Sequence, residues 1–164
     1  MRSLVVIAHD IRSTHNIGSL LRTADGLGIE KVYLTGYTPY PIKPGDKRLP
    51  HIASKLSSAI HKTALGAELT VPWEQNDDVF PILSVLRADG YKILALEQTE
   101  DAVDITKFSA PDKCALLLGS EVTGISEELL NIADKSLVIP MFGKKESFNV
   151  VQAAAMALYQ LRFN

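Results

Sequence analysis

CALLLGSE, residues 114–121, joins five consecutive apolar side chains to a glycine and a polar pair. YKILALEQ, residues 91–98, has the same form: a continuous apolar run with polar ends. A strand with one wet face alternates apolar and polar residues. A strand covered on both faces does not, and such strands belong to parallel sheets flanked by helices. Working outward, LVVIAHD (4–10), KVYLTG (31–36) and SLVIPM (136–141) are further short β-rich runs. Between them lie helical spacings. NIGSLLRTADGLG (16–28) has apolar residues at 17, 20, 21, 24 and 27 and is closed by Gly26 and Gly28. HIASKLSSAIHKTALGAE (51–68) and DDVFPILSVLRADG (77–90) read as helices, the latter with Pro81 in its first turn, where proline is tolerated. A helix is expected to start near Ser126, and SFNVVQAAAMALYQLRF (147–163) closes the chain. The order β-α-β-α-α-β-β-α-β-α predicts an α/β fold with a mostly parallel sheet flanked by helices.

The 164 residues fit one domain spanning 1–164, with no internal repeat or interdomain linker. TPYPIKPGDKRLP (38–50), with four prolines and a glycine, is the one long irregular segment. A single cysteine, Cys114, excludes a disulfide framework and a multi-cysteine zinc site; within its apolar run it reads as a small buried hydrophobe. The four histidines show no metal-ligand spacing, and no nucleophile elbow occurs. No apolar run approaches a membrane span and no secretory signal opens the chain, so the expected address is cytoplasmic. Net charge is −2, but it is uneven. Residues 1–62 carry nine Lys/Arg against four Asp/Glu, a net of +5; residues 63–164 carry eight against fifteen, a net of −7. The basic part points to an anionic partner; two solvated faces of different sign are the alternative.

In an open α/β sheet ligands bind beyond the carboxyl ends of the strands. Three segments therefore carry any chemistry. In HDIRSTHNIGSLLRTADGLG, Asn16 is positioned to cap a helix, and Arg22 follows a turn and a half later; together they are either a cap with a surface arginine or a phosphate-binding pair. In LLLGSEVTGIS, Gly119 and Gly124 allow tight turns, and Glu121 is either a base or a group holding a helix N-terminus. The spacing GxxxxG with no following lysine is neither a dinucleotide fingerprint nor a P-loop. In VIPMFGKKESFNVVQAAAMALYQ, Ser147 is a cap candidate, and the apolar helix beyond Asn149 is either fully buried or packed on a second subunit.

These segments, in this order, resemble the three motifs of the SpoU/TrmH family of RNA ribose 2′-O-methyltransferases. Asn16-Ile17-Gly18 through Arg22-Thr23-Ala24 is similar to its first motif. Gly119-Ser120-Glu121 with Gly124 is similar to its second. Ile139-Pro140-Met141 and Ser147-Phe148-Asn149-Val150 are similar to its third. Two departures stand out: Ser120 replaces the usual asparagine, and Val122 stands where glycine is common. Valine resists positive φ, so a different loop path around Glu121 is expected. The resemblance implies a C-terminal trefoil knot, a homodimer, and S-adenosylmethionine as methyl donor without a metal. It implies donor contacts from Leu96, Gly119, Ile139, Met141, Ser147, Phe148 and Val150. On the acceptor side it implies Arg22, Asn16, Glu121, Ser147 and Asn149. Arg22 is expected to clamp a phosphate rather than act as a base, because guanidinium stays protonated. Arg12, Lys43, Lys47, Arg48 and Lys55 join Arg22 as a candidate RNA phosphate track. With a first strand at residue 3 and a last helix at the terminus, the chain resembles the minimal members, among them tRNA wobble-position methyltransferases. That favours tRNA over rRNA. The competing readings are a nucleotide-binding α/β protein, a knotted RNA-binding module without catalysis, and a base methyltransferase of the same class.

Overall fold

The structure is a computed structural model and describes residues 2–164. Seven strands form one sheet: β1 (Ser3–His9), β2 (Lys31–Thr35), β3 (Trp73–Asn76), β4 (Lys92–Leu96), β5 (Val103–Asp104), β6 (Lys113–Leu118) and β7 (Lys135–Val138). Their spatial order is β3-β2-β1-β6-β4-β7-β5, and every pairing is parallel. The helices are α1 (Thr14–Gly26), α2 (Pro50–Ala64), α3 (Ala67–Thr70), α4 (Phe80–Ala88), α5 (Glu127–Ile132) and α6 (Val150–Phe163).

The continuous apolar runs do what their pattern requires. On one face Leu4, Val6, Leu94, Cys114, Leu116 and Leu118 pack beneath α1, α2 and α6. On the other, Val5, Ile7, Ile93, Ala95, Ala115 and Leu117 pack against α4 and α5. Cys114 is fully buried, and burial pushes its thiol up to about 11, as expected of a packing residue rather than a nucleophile. Among the described residues no helix is long and apolar enough to cross a membrane, and no cluster of His, Cys, Asp and Glu could hold a metal ion.

Four local readings are corrected. Two strands were not anticipated: β3, whose sequence is WEQN, and the two-residue β5. Both are edge strands, so neither needs an apolar run on two faces. The helix expected over 51–68 breaks after Ala64, where Leu65 and Gly66 take positive φ of 52° and 100° and the chain restarts as α3. Asn16 does not cap α1. Ser13 does, its hydroxyl accepting from the Asn16 N–H at 3.2 Å, so Asn16 lies in the first turn with its amide free for other partners. Ser147 does not cap α6. Asn149 does, its Oδ1 accepting from the N–H groups of Val151 and Gln152.

Two features fix the helices that border the site. Arg162 of α6 is buried, and its guanidinium donates to the carbonyls of Leu27, Gly28 and Arg2 at 3.1, 2.7 and 2.5 Å. A buried cation is tolerated when fully hydrogen-bonded, and here it also meets the negative end of α1. Gly18 lets α2 lie directly on α1: a Cβ there would stand 2.1 Å from Thr63 Oγ1 and 2.2 Å from the Ile60 carbonyl oxygen. Gly18→Ala would gain about 1 kcal/mol of helix propensity, but overpacking against backbone costs about 1–3 kcal/mol. The clash is expected to win, because the Ile60 carbonyl belongs to a helix and cannot move alone. A lower urea midpoint for Gly18→Ala checks this; an unchanged or raised midpoint would show that α2 yields freely.

Candidate active site

The carboxyl ends of β4, β6 and β7 and the first turn of α6 enclose a cleft of about 680 Å³. That is the size of a cofactor or drug-like ligand site. Its floor is the loop after β6. Gly119 and Gly124 face each other so closely that a Cβ on Gly119 would lie 2.5 Å from the Gly124 carbonyl. Ser120 and Gly124 exchange backbone hydrogen bonds of 3.1 and 2.9 Å, closing the turn. The Ser120 hydroxyl accepts from the N–H groups of Val122 and Thr123, the work an asparagine side chain could do in the same turn. The positive φ of this loop falls on Gly124, at 68°, and not on Val122. Valine is therefore accommodated, and Val122 simply projects outward, 83% exposed. Glu97, at the end of β4, completes the floor: its carboxylate accepts from the Ile125 and Gln98 N–H groups, both at 3.0 Å, and occupies the space a Gly124 side chain would need.

A chain of hydrogen bonds ties the three sequence segments together. Glu121 accepts from the backbone N–H groups of Arg12 and Ser13, at 3.1 and 3.3 Å, and from the Asn16 amide at 2.8 Å. Asn16 Oδ1 in turn accepts from the Asn149 amide at 3.3 Å, while Asn149 Oδ1 caps α6. Partial burial pushes the Glu121 carboxyl up, but the N–H groups of Arg12 and Ser13 and the Asn16 amide outweigh it, so the group lies below the usual carboxylate range. A weak base already engaged by three donors is suited to positioning α1, not to taking a proton at neutral pH.

Of the expected donor-side residues, Leu96, Gly119, Ile139, Ser147, Phe148 and Val150 line the cleft; Met141 does not. Glu121 and Asn149 are at the cleft, and Asn16 is bonded to both. Arg22 is elsewhere. It is exposed, has no hydrogen-bond or ion-pair partner among the described residues, and borders a second, shallower cavity with Ser19, Thr23, Lys62 and Thr63. The basic residues divide as well. Arg12, Lys47 and Lys55 are exposed. Arg48 is committed to its own loop: it pairs with Asp46 at 2.5 Å, donates to the carbonyls of Tyr40 and Pro41, and stacks 3.6 Å above the Tyr40 ring. It is a loop organiser rather than a free phosphate ligand. Lys43 is half-buried and bonds Gln75. Reading by motif missed Glu97, Gln98 and Thr99 in the cleft, although their place just past a strand end was the available signal.

A model of the SpoU rRNA methylase family matches residues 3–159. The chain belongs to that family. Within it, the chain is 30% identical over 157 residues to the tRNA (guanosine(18)-2′-O)-methyltransferase of Escherichia coli (strain K12), an alignment that takes in 96% of this chain and 62% of that protein. The chain thus spans less than two thirds of that relative's length. The crystal structure of the Aquifex aeolicus TrmH/SpoU tRNA modifying enzyme superposes with a TM-score of 0.80 at 25% identity, covering 99% of this chain and 75% of that one. The SpoU methyltransferase AviRb from Streptomyces viridochromogenes, solved in complex with AdoMet, shares the fold with a TM-score of 0.80 at 23% identity, covering 98% and 57%.

Three variants at two positions test the SpoU-family site. The lowered Glu121 pKa means its contribution to stability is full above the ordinary value of 4.5 and is lost as pH falls through the folded value. Glu121→Gln is expected to flatten the loss of stability between neutral pH and about pH 3 in chemical denaturation, and, the group being exposed, to cost no more than about 1 kcal/mol at neutral pH. Asn149→Ala should cost about 1 kcal/mol through the lost cap. Asn149→Ser should restore stability but not the bond to Asn16. If thermal unfolding ranks the two alike, the cap is not what Asn149 supplies.

Proposed function

We propose that the protein is an S-adenosylmethionine-dependent methyltransferase acting on the ribose 2′-hydroxyl of RNA. The observation that carries this reading is the Glu121–Asn16–Asn149 chain, which draws the three motif segments to one cleft at the strand ends. The cleft fits such a donor. Facing glycines leave backbone groups accessible at its floor, and Leu96 and Ile139 offer apolar surface for a flat base. The donor, when bound, supplies a methyl group on a positively charged sulfur and needs no metal to activate it. The chain's own residues hold the two reactants in line. Glu121 and Asn16 fix the start of α1 beside the cleft, Asn149 fixes the start of α6, and Ser147 lines the cleft. Arg22, about 9 Å along α1 from Asn16 and outside the cleft, clamps an RNA phosphate beside the reacting sugar, whose hydroxyl loses its proton as the methyl is transferred. That proton leaves to phosphate or water, since Glu121 is a poor acceptor.

tRNA is the favoured substrate, because it is named for the E. coli relative and for the Aquifex aeolicus structure; the family's own description leaves rRNA as the second candidate. We further propose a homodimer and a knotted C-terminus acting in the cytoplasm. The exposed Met156, Tyr159 and Phe163 make an apolar stripe along α6 that supports a subunit contact. Arg12, Arg22, Lys47 and Lys55 make up the phosphate track. Arg22→Ala is expected to slow methyl transfer to tRNA by about 10²-fold or more while leaving S-adenosylmethionine affinity unchanged in calorimetry, because Arg22 does not line the cleft. Nuclease digestion and mass spectrometry of the product should place the methyl on ribose. A methylated base, or an Arg22→Ala variant of normal rate, would overturn the reading.

A further inference from the structure

The second cavity, about 430 Å³, lies where the last turn of α2 meets the middle of α1. Its lining is Ser19, Arg22 and Thr23 from α1 with Lys62 and Thr63 from α2: two cations, three hydroxyls and no carboxylate. The acidic groups that could neutralise it are engaged elsewhere. Asp25 accepts from the Thr70 hydroxyl at 2.7 Å, and Glu68 is held by His61 at 2.5 Å and by the Gly66 N–H at 3.0 Å. Lys62 has no hydrogen-bond or ion-pair partner among the described residues, nor has Arg22. The juxtaposition is not accidental to the packing. Gly18 has no side chain, so α2 closes onto α1, and the Thr63 hydroxyl donates to the His15 carbonyl at 2.9 Å. The first motif's glycine therefore does more than pack two helices: it brings Lys62 beside Arg22.

Two like charges held together around hydroxyl donors form a site for an anion with several oxygen acceptors. We infer that Lys62, with the Ser19 and Thr23 hydroxyls, forms an RNA phosphodiester subsite adjoining the one held by Arg22, and that Lys62 is a positioning residue for the RNA strand. The inference rests on the reading of the chain as RNA-acting and deepens it. Two neighbouring phosphates gripped on one helix pair fix both the place and the direction of the strand, which a single arginine cannot do.

The test uses the full-length protein and total tRNA from cells lacking it. Lys62→Ala, or Lys62→Gln if the alanine variant is unstable, is expected to raise KM and Kd for tRNA on the order of tenfold at low salt, with kcat at saturating tRNA and S-adenosylmethionine affinity unchanged. The slope of log affinity against log salt should shrink by about 0.7–0.9, one phosphate contact. Lys62→Arg should restore both. Lys113→Ala, at the amino end of β6 and so at the end of the strands away from the cleft, should behave as wild type. If Lys62→Ala keeps wild-type tRNA affinity and slope while the wild-type protein binds and methylates tRNA, the subsite is refuted and the functional reading stands. If inorganic phosphate raises the Tm of wild type but not of Lys62→Ala, with equal tRNA affinity in the two, the site is for a free anion and the inference is likewise refuted. A wild-type protein that binds no RNA would refute both readings together.

Discussion

The side-chain amide of Asn16 holds this site together. It donates a hydrogen bond to Glu121 and accepts one from Asn149, so one planar group joins the loop after β6, the start of α1 and the start of α6. The start of α1 lies more than a hundred residues before the other two segments, and no other described side chain bonds both partners. Each link also satisfies a helix terminus. Glu121 accepts from backbone N–H groups at the entry to α1, and Asn149 from those opening α6. The exposed donors at two helix starts are thus turned from a liability into the means of alignment. A carboxylate used in this way has little capacity left for proton transfer, which moves the chemistry of any reaction onto positioning and charge.

The cleft depends equally on what is missing. Gly119 and Gly124 let two backbones touch, and Glu97 fills the space above Gly124. The side chains around the cleft then set its shape, and the backbone sets its floor. A serine at position 120 is compatible with this geometry because its hydroxyl serves the next two amides, and a valine at 122 is compatible because the strained conformation is carried two residues later.

Much of this was legible in the residue order. The unbroken apolar runs at 91–98 and 114–121 implied a sheet covered on both sides, and the three strand-end segments located the site. The failures share a cause. β3 and β5 are edges, where hydrogen bonding and not burial makes the strand, so hydrophobic pattern is silent there. Asn16 and Ser147 were read as caps because cap preference is local, whereas Ser13 and Asn149 win those places and tertiary contacts decide how Asn16 is used. Arg48 looked like a free cation in a basic loop, but pairing with Asp46, only two residues away, and stacking on Tyr40 consume it. Charge can be counted from sequence; its availability cannot.

Arg162 has a bearing on the order in which the molecule matures. All seven strands precede α6 in the sequence, yet one wall of the cleft and the Asn149 link belong to that helix, and the buried guanidinium fastens it to residues near position 2 and at the end of α1. A nascent chain stopping short of residue 149 can pair every strand and still lack a binding cleft. The cleft is therefore complete only once the closing helix is in place.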